Sequence, residues 1–151
     1  MRPTVDELKK IDILAHLEEE HYSKLTSLLT RETRKDGQLL IELGTHTKDI
    51  FFLLQGRVQI ELISNPGEVI REICILRAGE SVGELQMAKD IPRTTNARAK
   101  GDVSMLTCHR DDLQKFLEEH PRAGITFYRN LTICLCYRLQ QTNLLALNLL
   151  R

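Results

Sequence analysis

The stretch GELQMAKDIPRTT, residues 83–95, places a carboxylate, Glu84, and a guanidinium, Arg93, at the two ends of a turn-rich segment. Residues Glu84 to about Lys89 suit a short helix, and Pro92 returns the chain to extended backbone. The first N–H groups of such a helix lack partners within it. Gly83, just ahead, permits a sharp turn or a close approach, so an anion fits there. Arg93, returning beside that point, offers a planar, permanently charged fork that matches phosphate oxygens. A carboxylate beside phosphate is unfavourable unless it faces a donor, and a sugar hydroxyl is such a donor. The same two residues also read as a solvated ion pair on a loop, worth about 0–1 kcal/mol.

Nothing else in the chain gathers reactive groups so closely. The cysteines Cys74, Cys108, Cys134 and Cys136 lie in apolar periodic segments without CxxC spacing, so they read as reduced thiols. The CLC pair cannot share a metal on a helix, where residues two apart point to nearly opposite sides. A metal enzyme on a roll would need several imidazoles and a carboxylate converging on one ion. GTHTKD offers only His46, and His16, His21, His109 and His120 are dispersed. No catalytic triad stands out either, so no enzyme activity, metal or cofactor is expected.

These residues need a scaffold, and 151 residues suffice for one ordinary domain, residues 1–151. A composition 42% hydrophobic and 28% charged is that of a globular protein. The formal net charge of zero gives no overall field for nucleic acid or an anionic membrane. The polar start MRPTVDELKK lacks a signal peptide's apolar run, and no stretch is long enough for a membrane span, so a cytoplasmic protein is expected.

From Glu18 to about Arg31, Tyr22, Leu25, Leu28 and Leu29 recur at the spacing of one helix face, with IDIL before them as a short packing segment. The period then changes. GQLLIEL, DIFFLLQGRVQIELI, EVIREICIL, TNARAKG and DVSMLTC read as strands, punctuated by Gly37, Gly44, Gly56, Asn65-Pro66-Gly67, Gly79 and Gly101. Short antiparallel strands so spaced predict a roll. After Cys108, Asp111 caps a helix with Gln114 at its third position, and Pro121 ends it. A longer helix follows, with a stripe through Ile125, Tyr128, Leu131, Leu135, Leu139, Thr142, Leu145 and Leu149. Leucines from Leu144 to Leu150 fall on several faces, which favours a homodimer through this helix. The predicted class is α+β, mainly β: N-terminal helices at 5–33, an antiparallel β-roll at 37–110, and two C-terminal helices at 111–150.

The chain resembles the cyclic nucleotide-binding domain family. Its phosphate-binding cassette reads close to F-G-E-[LIV]-A-L, a few variable residues, then P-R-[AST]-A, and Gly83, Glu84, Leu85, Pro92, Arg93 and Thr94 match it within residues 82–95. GQLLIELGTHTKDIFFLLQGRVQI is similar to the family's early strands, LRAGESVGE to the approach to the cassette, and CHRDDLQKFLEEHP to the helix leading into its terminal lid helix. The resemblance implies that Glu84 accepts from the ribose 2′-hydroxyl, Arg93 pairs with the cyclic phosphate, the N–H groups of Leu85 and Gln86 cap it, and Thr94 adds a hydroxyl. RLQQTN is similar to a stretch in the family's catabolite activator branch that contacts adenine, which puts Thr142 and Asn143 at the base. Three positions depart from the pattern. Val82 replaces Phe, Gln86 replaces a small residue at the phosphate cap, and Thr95 replaces another after the arginine, the last two crowding the pocket.

The implied function is a regulatory module in which a cyclic nucleotide, cAMP rather than cGMP, biases the position or dimer packing of the terminal helix. The alternative is a protein-interaction or dimerisation module whose pocket Gln86 and Thr95 have closed. A DNA-binding helix-turn-helix would follow the long helix, and the sequence stops at Arg151, so no DNA binding is expected. The downstream protein is not legible, nor whether the chain is a piece of a larger regulator.

Overall fold

The computed structural model describes residues 1–65 and 68–151; the side chains of residues 64, 65 and 69–72 lie outside that description, as do the last two positions of the turn expected at Asn65-Pro66-Gly67. Helix α1, Val5–Lys9, opens on a capping box in which the Thr4 hydroxyl accepts from the Glu7 N–H and the Glu7 carboxylate accepts from the Thr4 N–H. Glu7 also accepts from Arg31 Nη2 at 2.7 and 2.8 Å, which fastens α1 to strand β1, Thr30–Arg34. The Thr4 N–H and then Arg31 hold the Glu7 carboxyl below the usual carboxylate range. A 3₁₀ turn, Asp12–Leu14, buries Ile13 and Leu14, and helix α2, Glu19–Leu25, buries Tyr22 and Leu25.

The helix expected to reach about Arg31 stops six residues earlier, and the helical N-terminal region ends well before residue 33. Thr26 and Ser27 are the cause. Their hydroxyls bond back to the carbonyls of Ser23 and Lys24, at 2.6 and 2.7 Å, in competition with further helix. TRETR then runs extended as β1.

The sheet is antiparallel throughout, as expected. It comprises β1, β2 (Leu39–Ile41), β3 (Asp49–Asn65), β4 (Glu68–Arg77), β5 (Ser81–Val82) and β6 (Asn96–His109). The order is β1-β6-β3-β4, with β2 on β6 and β5 on β3. TNARAKG and DVSMLTC, expected as two strands, form the single strand β6. Gly56, expected in a turn, lies inside β3, where the register jumps from Gln55↔Ser104 to Arg57↔Lys100. The bend brings backbones so close that a Cβ on Gly56 would sit 2.4 Å from the Asp102 carbonyl oxygen. Both long strands fold over at this point and turn a sheet into a roll.

Strand β3 is apolar on both faces because each face meets a core. Phe51 and Leu53 point into the roll with Val58, Leu76, Val82, Ala97 and Met105. Ile50 and Phe52 pack under the helices with Leu14, Leu25, Leu113, Phe127 and Leu131.

Helix α3 spans Arg110–Glu119. His109 is its N-cap, the Nδ1 atom accepting from the Asp111 N–H, so Asp111 falls in the first turn and not at the cap. Helix α4, Pro121–Leu149, begins on Pro121 and buries Ala123, Gly124, Phe127 and Leu131. Its inner face therefore differs from the stripe expected of it: Leu131 is buried, whereas Ile125, Tyr128, Leu139 and Leu149 are exposed. Small residues decide this, since a Cβ on Gly124 would stand 2.9 Å from the Leu117 carbonyl oxygen where α4 crosses α3. Among the described residues no helix is long and apolar enough to cross a membrane.

Candidate functional site

Residues 83–95, β4 and α4 enclose a cavity of about 950 Å³. Ile60 and Leu76 face it from the roll, the segment contributes Gly83, Glu84, Leu85, Gln86, Arg93, Thr94 and Thr95, and α4 contributes Tyr137, Arg138, Thr142 and Leu145. The structure thus brings together every residue selected from the sequence except Asn143, which is exposed and outside the wall. Successive helix residues are about 100° apart, so Thr142 and Asn143 do not share a face.

Gly83 adopts φ +87°, the left-handed region that glycine favours. A Cβ there would lie 2.8 Å from Arg93 Nη1 and 3.0 Å from the Asp49 carbonyl oxygen, so the residue must be glycine for the arginine to fold beneath it. The helix that follows is a 3₁₀ turn of four residues, Glu84–Met87, shorter than the segment expected to Lys89. Such a turn has little dipole, and positive charge at the site comes from side chains. Its Gln86 N–H is already donated to the Gly83 carbonyl at 3.3 Å.

Arg93 is 5% exposed. Its Nε donates to Thr47 Oγ1 at 3.0 Å and its Nη2 to the Asp49 carbonyl at 2.6 Å, with Nη1 3.4 Å from the Gly83 carbonyl. Among the described residues it forms no ion pair with a carboxylate, so the solvated pair with Glu84 is overturned. Burial pulls its pKa below the ordinary arginine value, Asp49 acting in the opposite sense. A guanidinium so placed keeps its charge and presents it at the cavity wall.

Glu84, 2% exposed, pairs instead with Arg138 of α4. Arg138 Nη2 also donates to the Ser81 carbonyl at 2.6 Å, and burial lowers the pKa of this guanidinium too. Only one carboxylate oxygen is used: Glu84 Oε1 meets Arg138, while Oε2 is buried without a partner. Gln86 folds beneath the segment, its amide nitrogen donating to the Ile91 carbonyl at 2.6 Å and its Oε1 left unpartnered. Of seven buried side-chain atoms without a partner among the described residues, Glu84 Oε2, Gln86 Oε1 and Arg138 Nε belong to residues of the cavity wall. Native interiors satisfy most such atoms, so three in one wall set this cavity apart from the rest of the described core.

Sequence reading missed Arg138. The signal was present: it stands in the quoted RLQQTN, one helical turn before Thr142, on a helix that contains no acidic residue. Thr47 was missed as well, inside GTHTKD. The potential metal ligands that cluster among the described residues are Glu18, Glu20 and His21, none of which lines the cavity.

Residues 31–120 match the cyclic nucleotide-binding domain, and the chain belongs to that family. It is 30% identical over 112 residues to a cGMP-dependent protein kinase of Caenorhabditis briggsae, an overlap of 73% of this chain and 15% of that protein. It is 28% identical over 112 residues to a cAMP-dependent protein kinase regulatory subunit of Candida albicans, covering 74% of this chain and 23% of that one. The chain thus spans under a quarter of the length of either relative. A putative cyclic nucleotide-binding protein from Geobacter metallireducens shares the fold, with a TM-score of 0.78 at 18% identity over 91% of this chain and 98% of that one. The family is a regulatory nucleotide-binding one.

Proposed function

We propose that the cavity binds a cyclic nucleotide, cAMP in preference to cGMP, and that α4 responds to it. The observation that carries this reading is the buried Arg93 guanidinium, which pairs with no carboxylate among the described residues, in the same cavity wall as a carboxylate with one unpartnered oxygen. The first matches a cyclic phosphate and the second a ribose 2′-hydroxyl. The N–H of Leu85 and the Thr94 hydroxyl add donors at the phosphate, and Gly83 lets the backbone approach.

Arg138 is a positioning residue here. By holding Glu84 Oε1 it turns Oε2 toward the sugar, so the ribose acceptor and α4 form one bonded unit. A ligand that shifts the carboxylate shifts the helix with it, and only this difference between states transmits a signal. At the base, the Thr142 hydroxyl donates to the Arg138 carbonyl at 2.9 Å and keeps its lone pairs for an acceptor role. Those suit the amino group of adenine better than the O6 acceptor of guanine. The exposed Leu139, Leu144 and Leu147 support a homodimer through α4.

A second reading, a dimerisation module indifferent to nucleotide, draws on Gln86, whose buried Oε1 would face an anion as an acceptor. Calorimetric titration of nucleotide-stripped protein with cAMP and cGMP decides between the two. Binding of cAMP, weakened in Arg93→Ala on the order of ten- to a hundredfold, supports the first reading; absence of heat with both nucleotides at millimolar concentration supports the second.

A further inference from the structure

Gln86 and Thr95, two of the positions that depart from the family's text, bring polar side chains to the cavity wall. Gln86 is 2% exposed, and its amide is held in one orientation. The Ile91 carbonyl can only accept, so the atom that meets it at 2.6 Å is the amide nitrogen. The end left without a partner is therefore the oxygen, Oε1. An acceptor beside the phosphate cap is poorly matched to a cyclic phosphate, whose oxygens are all acceptors. Thr95 lines the wall next to Thr94 and adds a second hydroxyl there.

Both departures suit the same change in the ligand. In a 3′,5′-cyclic phosphate O3′ is esterified and can only accept; with that ester bond open, O3′ is a hydroxyl and donates. The opened phosphate also has a third terminal oxygen and a charge of about −1.5 to −2 at pH 7. A 3′-hydroxyl matches the unpartnered Gln86 Oε1 as the 2′-hydroxyl matches the unpartnered Glu84 Oε2. The Thr95 hydroxyl serves the additional phosphate oxygen. The charged residues of the wall are Arg77, Arg93 and Arg138 against Glu80 and Glu84, an excess of positive charge that suits the more highly charged phosphate.

We propose that the cavity takes ribonucleoside 5′-monophosphates as a second class of ligand, and that Gln86 is the specificity-determining residue, its Oε1 accepting from the 3′-hydroxyl. The inference rests on the proposed function in placing ribose at Glu84 and phosphate at Arg93, and it does not require that the cyclic form bind.

The test titrates nucleotide-stripped protein calorimetrically with cAMP, 5′-AMP and 3′-deoxy-5′-AMP, for the wild type and for Gln86→Ala and Gln86→Met. The wild type is expected to bind 5′-AMP, and to bind its 3′-deoxy analogue on the order of tenfold more weakly. In the variants that handicap disappears, and preference shifts toward cAMP by a similar factor. The wild-type ratio needs no substitution, so the hydroxyl is tested even where a variant fails to fold. Absence of heat with 5′-AMP at millimolar concentration overturns the inference, as does equal binding of 5′-AMP and its 3′-deoxy analogue to the wild type. An equal handicap in wild type and variants removes Gln86 from the 3′-hydroxyl. Heat with cAMP alone leaves the proposed function standing without the second ligand class; heat with 5′-AMP alone removes the cyclic nucleotide and keeps the monophosphate site; heat with neither removes both.

Discussion

Arg138 and Glu84, 54 positions apart in the chain, are bonded across the cavity: the guanidinium on α4 holds one oxygen of the cassette carboxylate. This pair predicts an asymmetric mutational pattern. Arg138→Ala leaves a buried carboxylate with neither oxygen partnered, a loss of roughly 3–5 kcal/mol for a fully buried pair and less here, where Arg138 is partly exposed. The expected outcome is a lower melting temperature, with most of the loss absent when Glu84→Gln is combined with it. Denaturant unfolding of the two single variants and the double variant measures the coupling.

The ribose role has its own signature. 2′-Deoxy-cAMP should bind more weakly than cAMP to the wild type, by on the order of tenfold for a hydrogen bond to a charged group, and lose that handicap in Glu84→Ala. Competition titrations read the ratio, and an equal handicap in both proteins removes Glu84 from the sugar.

Gly83→Ala tests the fit between backbone and guanidinium. The left-handed φ and the approach of Arg93 both oppose a methyl group, so loss of stability by about 1–3 kcal/mol and loss of nucleotide affinity should appear together. Gly37→Ala provides the contrast. It too has positive φ, but nothing lies within 4 Å of its added Cβ, so it should lose some stability and leave affinity unchanged.

The Glu7 carboxyl predicts a pH dependence. Its pKa is lowered in the folded chain, so its contribution is present above the unfolded-state value and is lost as pH falls through the folded one. Glu7→Gln should therefore lower the melting temperature at pH 7 and approach the wild type as pH falls through the folded-state value, as scanning calorimetry over a series of pH values would show.

A dimer through α4 is checked by sedimentation. Leu144→Asp together with Leu147→Asp places charge on exposed positions of the helix and should yield monomers without lowering the melting temperature of the roll.

The cassette and most strands were legible because they are local. Gly83, Arg93 and the alternating text of β3 and β6 declare themselves within a few residues. What was missed depended on distant partners. TRETR has no apolar alternation, and only its ladder with Val103–Thr107 makes it β1. Gly56 reads as a turn until β6 approaches it. The inner face of α4 was misread because Ala123 and Gly124, not leucines, set where it meets α3. The Thr4–Glu7 capping box was present in the text and passed over, as was Arg138, whose meaning depends on a carboxylate in another element.

The first residue of α3 touches the cassette directly: Arg110 Nε donates to the Gln86 carbonyl, and the Arg110 N–H donates to the Lys48 carbonyl at 3.0 Å. Ten residues on, the chain passes through one non-helical residue, His120, into α4. The cassette is therefore tied to the terminal helix at two places: Arg138 bonds it to the middle of α4, and Arg110 bonds it to α3, which leads through the single residue His120 to the start of α4.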